Sequence, residues 1–250
     1  MTTNTGGPLT TTNYPGGVTN TFRYNAMGLL PIIDPTVNYT FFDEFNSYWA
    51  ANTGTAANWM TTITQAGAGN ASAIVTQESG GVLLITNDDA DDDNYFAQWK
   101  GGNLSAVAET FKFVAGKKLW FKTRFKVSDA TQSDVVIGLQ IADTTPLAVT
   151  DGVYFLKADG STTLNLLVTK NSTSTTTAAA TMANDTYVVV AFYYNGNDAI
   201  EIWLNDVRVA NSVTTNLVDD EELAVSFGIQ NGEAAAKTMS IDYILAVAER

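Results

Sequence analysis

The sequence predicts an all-β sandwich. Apolar and polar residues alternate with period two through segment after segment, short Asn/Asp turns separate the segments, and no convincing helical stretch of twelve or more residues is visible. In order, strands are expected at 40–45, 59–64, 72–76, 82–86, 94–99, 107–113, 118–127, 134–142, 152–157, 163–169, 186–195, 198–204, 207–210, 222–230 and 238–248. "LWFKTRFKV" shows the alternation well. Trp120, Lys122, Arg124 and Lys126 fall on one face, whose bases are expected to point to solvent or acidic neighbours, and Leu119, Phe121, Phe125 and Val127 fall on the core face. In "AFYYNGNDAIEIWLNDVRVA", "NGND" and Asn205-Asp206 turn strand into strand, since Asn and Asp tolerate the left-handed conformation that two-residue hairpins need. The stretch 171–186, "NSTSTTTAAATMANDT", is low in complexity and reads as a long loop or a weak strand pair.

Composition narrows the function classes. At 250 residues and 45% hydrophobic content the chain can bury a sizeable core. Acids outnumber bases 26 to 13, and the net charge of -13 opposes phosphate backbones, so no nucleic-acid partner is expected. Histidine and cysteine are both absent, which removes Ser-His and Cys-His nucleophiles, disulfides and nearly every zinc site. "MTTNTGGPLTTTNYPGG" has neither the basic start nor the apolar centre of a secretory leader, and no apolar run approaches the ~20 residues that span a bilayer. A soluble protein with no membrane partner is expected.

Residues 1–36 differ from the rest. The first 21 are mostly Thr, Asn and Gly, and "FRYNAMGLLPIIDPT" follows, apolar but broken by Gly28, Pro31 and Pro35. Such a segment suits neither a helix nor a central strand. It reads as an extended arm before a sandwich domain of residues 37–250, and its apolar groups need a surface, on their own domain or on a partner.

The domain opens with "YTFFDEFNSYW" and closes with "KTMSIDYILAVAER", and between them stands "TYVVVAFYYNGNDAIEIWLNDVRVA". These phrases resemble the concanavalin A-like jelly-roll sandwiches, the superfamily of legume lectins, laminin-G domains and laminarinase-type glycanases. The whole chain also resembles virion proteins of tailed bacteriophages. The phrases that carry this are "FFDEF", "GKKLWFKTRFKVSDATQSDVVIGLQIADTTPLAVTDGVYFLKADG", "DDEELAVSFGIQNGEAAAKTM" and "DYILAVAER". This second resemblance implies a capsid decoration or cement protein on the outside of the head, with the major capsid protein as partner. The arm residues Phe22, Arg23, Tyr24, Met27, Leu29, Leu30, Ile32 and Ile33 would then bind the shell. Closed homo-oligomers, dimeric or trimeric, are the expected state.

Catalysis is not expected. Glycoside hydrolysis needs a pair of carboxylates flanking the bond, and laminarinase-type enzymes carry theirs in a Glu-x-Asp-x-x-Glu string that this chain lacks. Asp134, Asp143, Asp151 and Asp159 have no suitably spaced Glu, and Glu201, with Trp203 on its face, reads as an exposed cross-strand partner. Carbohydrate binding without catalysis is the alternative, with Trp49 the freest of the five tryptophans for stacking on a sugar. No cofactor is expected beyond calcium as a weak candidate. "NDDADDDN" (87–94) places Asp89, Asp91 and Asp93 at alternate positions but lacks the Gly and closing Glu of a calcium loop. It reads as a hydrated strand connection, unless it meets the second acidic run, "VDDEEL" (218–223), in space.

Overall fold

The computed structural model describes residues 36–51, 57–66, 71–76, 78–101 and 106–250. Two antiparallel sheets pack face to face. Sheet A contains β1 (Asn38–Asp43), β4 (Ser72–Thr76), β5 (Val82–Thr86), β7 (Leu119–Val127), β12 (Val188–Tyr194), β13 (Ala199–Leu204), β14 (Val207–Val213) and β16 (Thr238–Glu249). Its order is β14-β13-β12-β7-β16-β5-β4, with β1 also paired to β16. Sheet B contains β2 (Ala50–Ala51), β3 (Trp59–Thr64), β6 (Asn94–Trp99), β8 (Ser133–Gln140), β9 (Gly152–Lys157), β10 (Thr163–Lys170), β11 (Thr173–Thr181) and β15 (Ala224–Asn231). Its order is β11-β10-β9-β8-β15-β6-β3-β2, in which β2 pairs parallel to β3.

The period-two pattern sorts as expected. Leu119, Phe121, Phe125 and Val127 of β7 enter the central core, where they meet Val135, Ile137 and Leu139 of β8 and Phe192 of β12. Asn205 and Asp206 turn β13 into β14 with φ of 49° and 64°, the left-handed pair that a tight hairpin uses.

Three expectations change. Residues 107–113 form no named strand; Phe111 makes a single bridge to Leu223, and Phe111 and Phe113 are buried in the core instead. The stretch 171–186 contains a full strand, β11, joined to β10 through Asn171 and Ser172 at φ of 50° and 62°. Threonine is a strong strand former, but a Thr/Ala run shows no apolar alternation. The strand expected at 207–210 continues to Val213 through a bulge opposite Ile202/Trp203.

The connection from β7 to β8 is fixed by charge. The Asp129 carboxylate accepts the Gln132 and Thr131 N–H groups at 2.9 Å each and Lys237 Nζ at 3.0 Å. The Gln132 N–H, with Lys237 and Thr131, draws its pKa down to about 2. A carboxylate depressed on folding stabilises above its unfolded pKa near 4, and that contribution is lost as pH falls toward 2. Asp129→Asn should therefore be less stable at pH 7, with the gap to wild type closing between about pH 4 and 2 in urea titrations. A gap independent of pH in that window would contradict the assignment.

Candidate functional site

The acidic run joins β5 to β6 and divides by function within the loop. Asp89, Asp91 and Asp92 are exposed, whereas Asp93 is completely buried. Its Oδ1 accepts the Ala66 N–H at 2.6 Å and its Oδ2 the Ala90 N–H at 3.2 Å. Two asparagines close the loop from either side. Asn87 Nδ2 donates to the carbonyls of Asp93 and Ile229 and to Asn231 Oδ1, at 2.9, 3.1 and 3.2 Å. Asn231 Nδ2 donates to the carbonyls of Asp88 and Ala90 at 2.7 and 2.9 Å. The loop is thus more than a hydrated connection: it is a polar knot with one carboxylate turned inward.

The structure therefore does not bring Asp89, Asp91 and Asp93 together as ligands. Among the described residues no group of three or more Asp, Glu, His or Cys side chains is placed to hold a metal. The two acidic runs do not meet either. "DDEE" precedes Ala224 at one end of β15, and the aspartate knot grips Asn231 at the other, about 23 Å away along an eight-residue strand. Lysines occupy the second run: Lys170 pairs with Asp219 and Asp220 at 2.5 and 2.9 Å, and Lys112 with Glu222 at 3.0 Å. Millimolar calcium or EDTA is expected to move the melting temperature by less than about 1 °C, an energy of a few tenths of a kcal/mol. A rise of several degrees with calcium, followed by differential scanning fluorimetry, would assign the exposed aspartates a cation.

The other acids singled out in the sequence serve turns and strand pairs. Asp134 accepts the Asp159 N–H at 2.8 Å, Asp143 the Thr145 N–H at 2.7 Å, and Asp151 the Asn171 N–H at 2.9 Å. Burial raises the pKa of Asp134 against the lowering effect of the Asp159 N–H and of Lys157. Glu201 meets Arg208 of the neighbouring strand at 3.2 Å, the cross-strand pair expected of it.

The outer face of sheet B is closed. Phe96, Val136, Val149 and Tyr154 form a buried cluster on it, and the connection 141–151 lies over them. Gln98 Nε2 donates to the Ile141 carbonyl at 2.8 Å, and Gln98 Oε1 accepts the Asp143 N–H at 2.9 Å. Gln140 Nε2 donates to the Pro146 carbonyl at 2.8 Å. Sequence reasoning passed over these glutamines; their only signal was a polar residue ending an apolar strand. An open depression of about 400 Å3 lies elsewhere, between Thr36, Val37, Gly116, Lys117, Glu249 and Arg250.

The tryptophans separate as expected. Trp59 and Trp120 are buried, Trp99 is half-buried, and Trp49 stands 67% exposed at the rim where β2 begins. Phe22, Arg23, Tyr24, Met27, Leu29, Leu30, Ile32 and Ile33 lie outside the described residues.

Solved structures with the same two-sheet arrangement identify the architecture. A protein of unknown function from Shewanella oneidensis MR-1 superposes with a TM-score of 0.57 at 18% identity, over 85% of this chain and 87% of that one. A prokaryotic β-1,3-1,4-glucanase (lichenase) derived from a mouse hindgut metagenome gives 0.54 at 12% identity, over 84% and 98%. The Emp47p carbohydrate recognition domain gives 0.53 at 11% identity, over 85% and 97%. The fold is a concanavalin A-like jelly roll. No family profile matches the sequence, and no curated protein does. These jelly-roll neighbours include an enzyme and a carbohydrate recognition domain, and at such identities the likeness establishes the fold alone.

Proposed function

We propose that this jelly roll is a structural protein of a tailed-phage particle, a decoration or cement protein on the outside of the head. The observation that carries a non-catalytic reading is the closed outer face of sheet B. Phe96, Val136 and Tyr154 fill it beneath 141–151, and the Asp134, Asp143, Asp151 and Glu201 carboxylates are held by backbone N–H groups or by Arg208. The assignment to a virion rests on the resemblance of the phrases quoted above and on the layout of an apolar arm before a compact sandwich. In this reading the arm residues Phe22 to Ile33 seat on the major capsid protein. Each copy exchanges exposed apolar area for buried contact at roughly 25 cal/mol per Å2, and many copies act together against internal pressure.

The test uses the full chain with Leu29, Leu30, Ile32 and Ile33 all changed to Ser, mixed with undecorated phage heads and sedimented. Wild type is expected to co-sediment and the variant to remain in the supernatant with an unchanged far-UV spectrum. Full occupancy by the variant would reject attachment through the arm.

A carbohydrate-binding role is the second reading, favoured by the exposure of Trp49 and by the carbohydrate recognition domain among the neighbours. It predicts glycan-array binding that Trp49→Ala abolishes, since base or sugar stacking on an open ring is lost with the ring. An empty array would reject it.

A further inference from the structure

We propose that β11 is a docking edge for a second copy of this chain, pairing antiparallel with its own counterpart about a two-fold axis at Thr176. The two eight-stranded sheets B then run as one. This pairing does not depend on the virion assignment.

An edge strand offers a row of unpaired N–H and C=O groups, and proteins protect such rows by shortness, charge, proline or bulges. The other edges here are protected in that way. β2 has two residues and β4 five, β1 ends in Asp43, and β14 carries Arg208 and a bulge. β11 differs: its nine residues, TSTTTAAAT, contain no charge and no proline, and threonine favours strands. Its one irregularity lies opposite Leu164/Asn165, beyond Ala178. Among the described residues, 173–181 make no backbone hydrogen bonds except to β10.

The turn sets the register. Asn171 and Ser172 form a two-residue turn between Lys170 and Thr173, and the residues flanking such a turn exchange main-chain hydrogen bonds. Thr173, Thr175 and Thr177 therefore bond to β10, and Ser174, Thr176 and Ala178 aim their backbone groups outward. These three are exposed, whereas Thr175 and Thr177 are half-buried. The set is symmetric about Thr176, with the turn on one side and the bulge on the other. Thr176 would face the partner's Thr176, and Ser174 would face Ala178 of the partner subunit, for about six main-chain hydrogen bonds.

That symmetry makes a second copy the occupant. In a chain of net charge -13, an acidic surface repels itself across a two-fold, but this edge has no charge to repel. The same side also offers apolar area. β14 flanks β11 there, where Asn216 Nδ2 donates to Thr175 Oγ1 at 3.0 Å. Val207, Val209 and Val213 of β14 are 63%, 47% and 55% exposed.

Sedimentation velocity of the full chain at micromolar concentration tests the contact. Wild type should sediment as a dimer. Thr176→Lys sets two ammonium groups against each other from an exposed site, and should weaken association by roughly tenfold or more at an unchanged melting temperature. Because the chain has no cysteine, Thr176→Cys adds a single thiol. Facing residues of a hydrogen-bonded pair have Cα atoms about 5.5 Å apart, inside disulfide range, so oxidised glutathione should convert this variant to a covalent dimer. Thr173→Cys, about 20 Å from its mate in this register, should not cross-link. A wild type that sediments as a monomer would overturn the proposal. So would a dimer that Thr176→Lys leaves intact, or equal cross-linking of the two cysteine variants, since either places the contact elsewhere.

Discussion

Trp59→Ala is expected to destabilise the protein by about 4 kcal/mol, lowering the melting temperature by roughly 10 °C for a chain of this size. Trp59 is 1% exposed and holds together the end of the sandwich where the chain enters. Its ring lies 4.8 Å from Phe227, 5.2 Å from Trp99, 5.8 Å from Phe41, 6.2 Å from Phe45 and 6.3 Å from Tyr48, centroid to centroid. Truncation leaves a cavity walled by rings from both sheets, which cannot collapse without moving strands. Two polar devices sit against the cluster. The Tyr48 and Tyr95 hydroxyls meet at 3.1 Å, and burial pushes Tyr95 up to about 12. Asp43 accepts the Phe45 N–H at 2.7 Å, holding Phe45 at a φ of 50° so that its ring turns inward. Trp49→Ala, ten residues earlier and 67% exposed, should change stability by less than about 0.5 kcal/mol. Urea unfolding of the two variants measures the contrast; equal losses would mean that the aromatic cluster is not a stability centre.

That cluster shows how much of the fold the sequence discloses. "FFDEF" reads as an aromatic-acid strand opening, and the structure turns Phe41 inward and Phe42 outward. The left-handed Phe45 is not legible, because its conformation depends on one side-chain acceptor. Residues 107–113 read as a strand because an apolar alternation looks the same whether its backbone pairs or only its rings are buried. β11 was hidden for the opposite reason: its Thr/Ala composition carries strand propensity without a hydrophobic pattern.

The candidate site was legible in class and obscure in detail. Absence of histidine and of a Glu-x-Asp-x-x-Glu string is a property of the letters, and it narrows the chemistries to be expected. Which aspartate of "NDDADDDN" turns inward is not, since Asp93 is selected by the Ala66 and Ala90 N–H groups and the knot is completed by Asn231, far along the chain. A charge run flanked by asparagine was the only local sign. The Lys122 and Arg124 partners, Asp206 and Asp242, match the acidic neighbours expected for that face. Trp120 shares their face, and its place in a strand pattern, where a buried or half-buried ring is the usual outcome, agrees with its burial.

Gly138→Val is expected to cost about 3 kcal/mol or more and to disturb the closed face of sheet B. Gly138 of β8 lies directly opposite Tyr154 of β9. A Cβ at residue 138 would stand 2.4 Å from the Tyr154 Cα and 2.8 Å from the Val153 carbonyl oxygen, contacts that only strand separation can relieve. The close approach lets Val136 and Tyr154 pack into one layer beneath 141–151; Gly228 does the same for Phe96, whose Cδ1 lies 2.3 Å from its would-be Cβ. Gly160→Ala provides the comparison. Its Cβ would meet nothing within 4 Å, and only its φ of 72° is unfavourable, so about 1 kcal/mol is expected. Because the clash at 138 is with backbone, Tyr154→Ala should not rescue Gly138→Val, and the double variant should be less stable than either single one. Recovery of stability in that double variant, measured by thermal unfolding, would show that the ring rather than the strand spacing sets the limit, and that the face could open to a ligand by a side-chain movement alone.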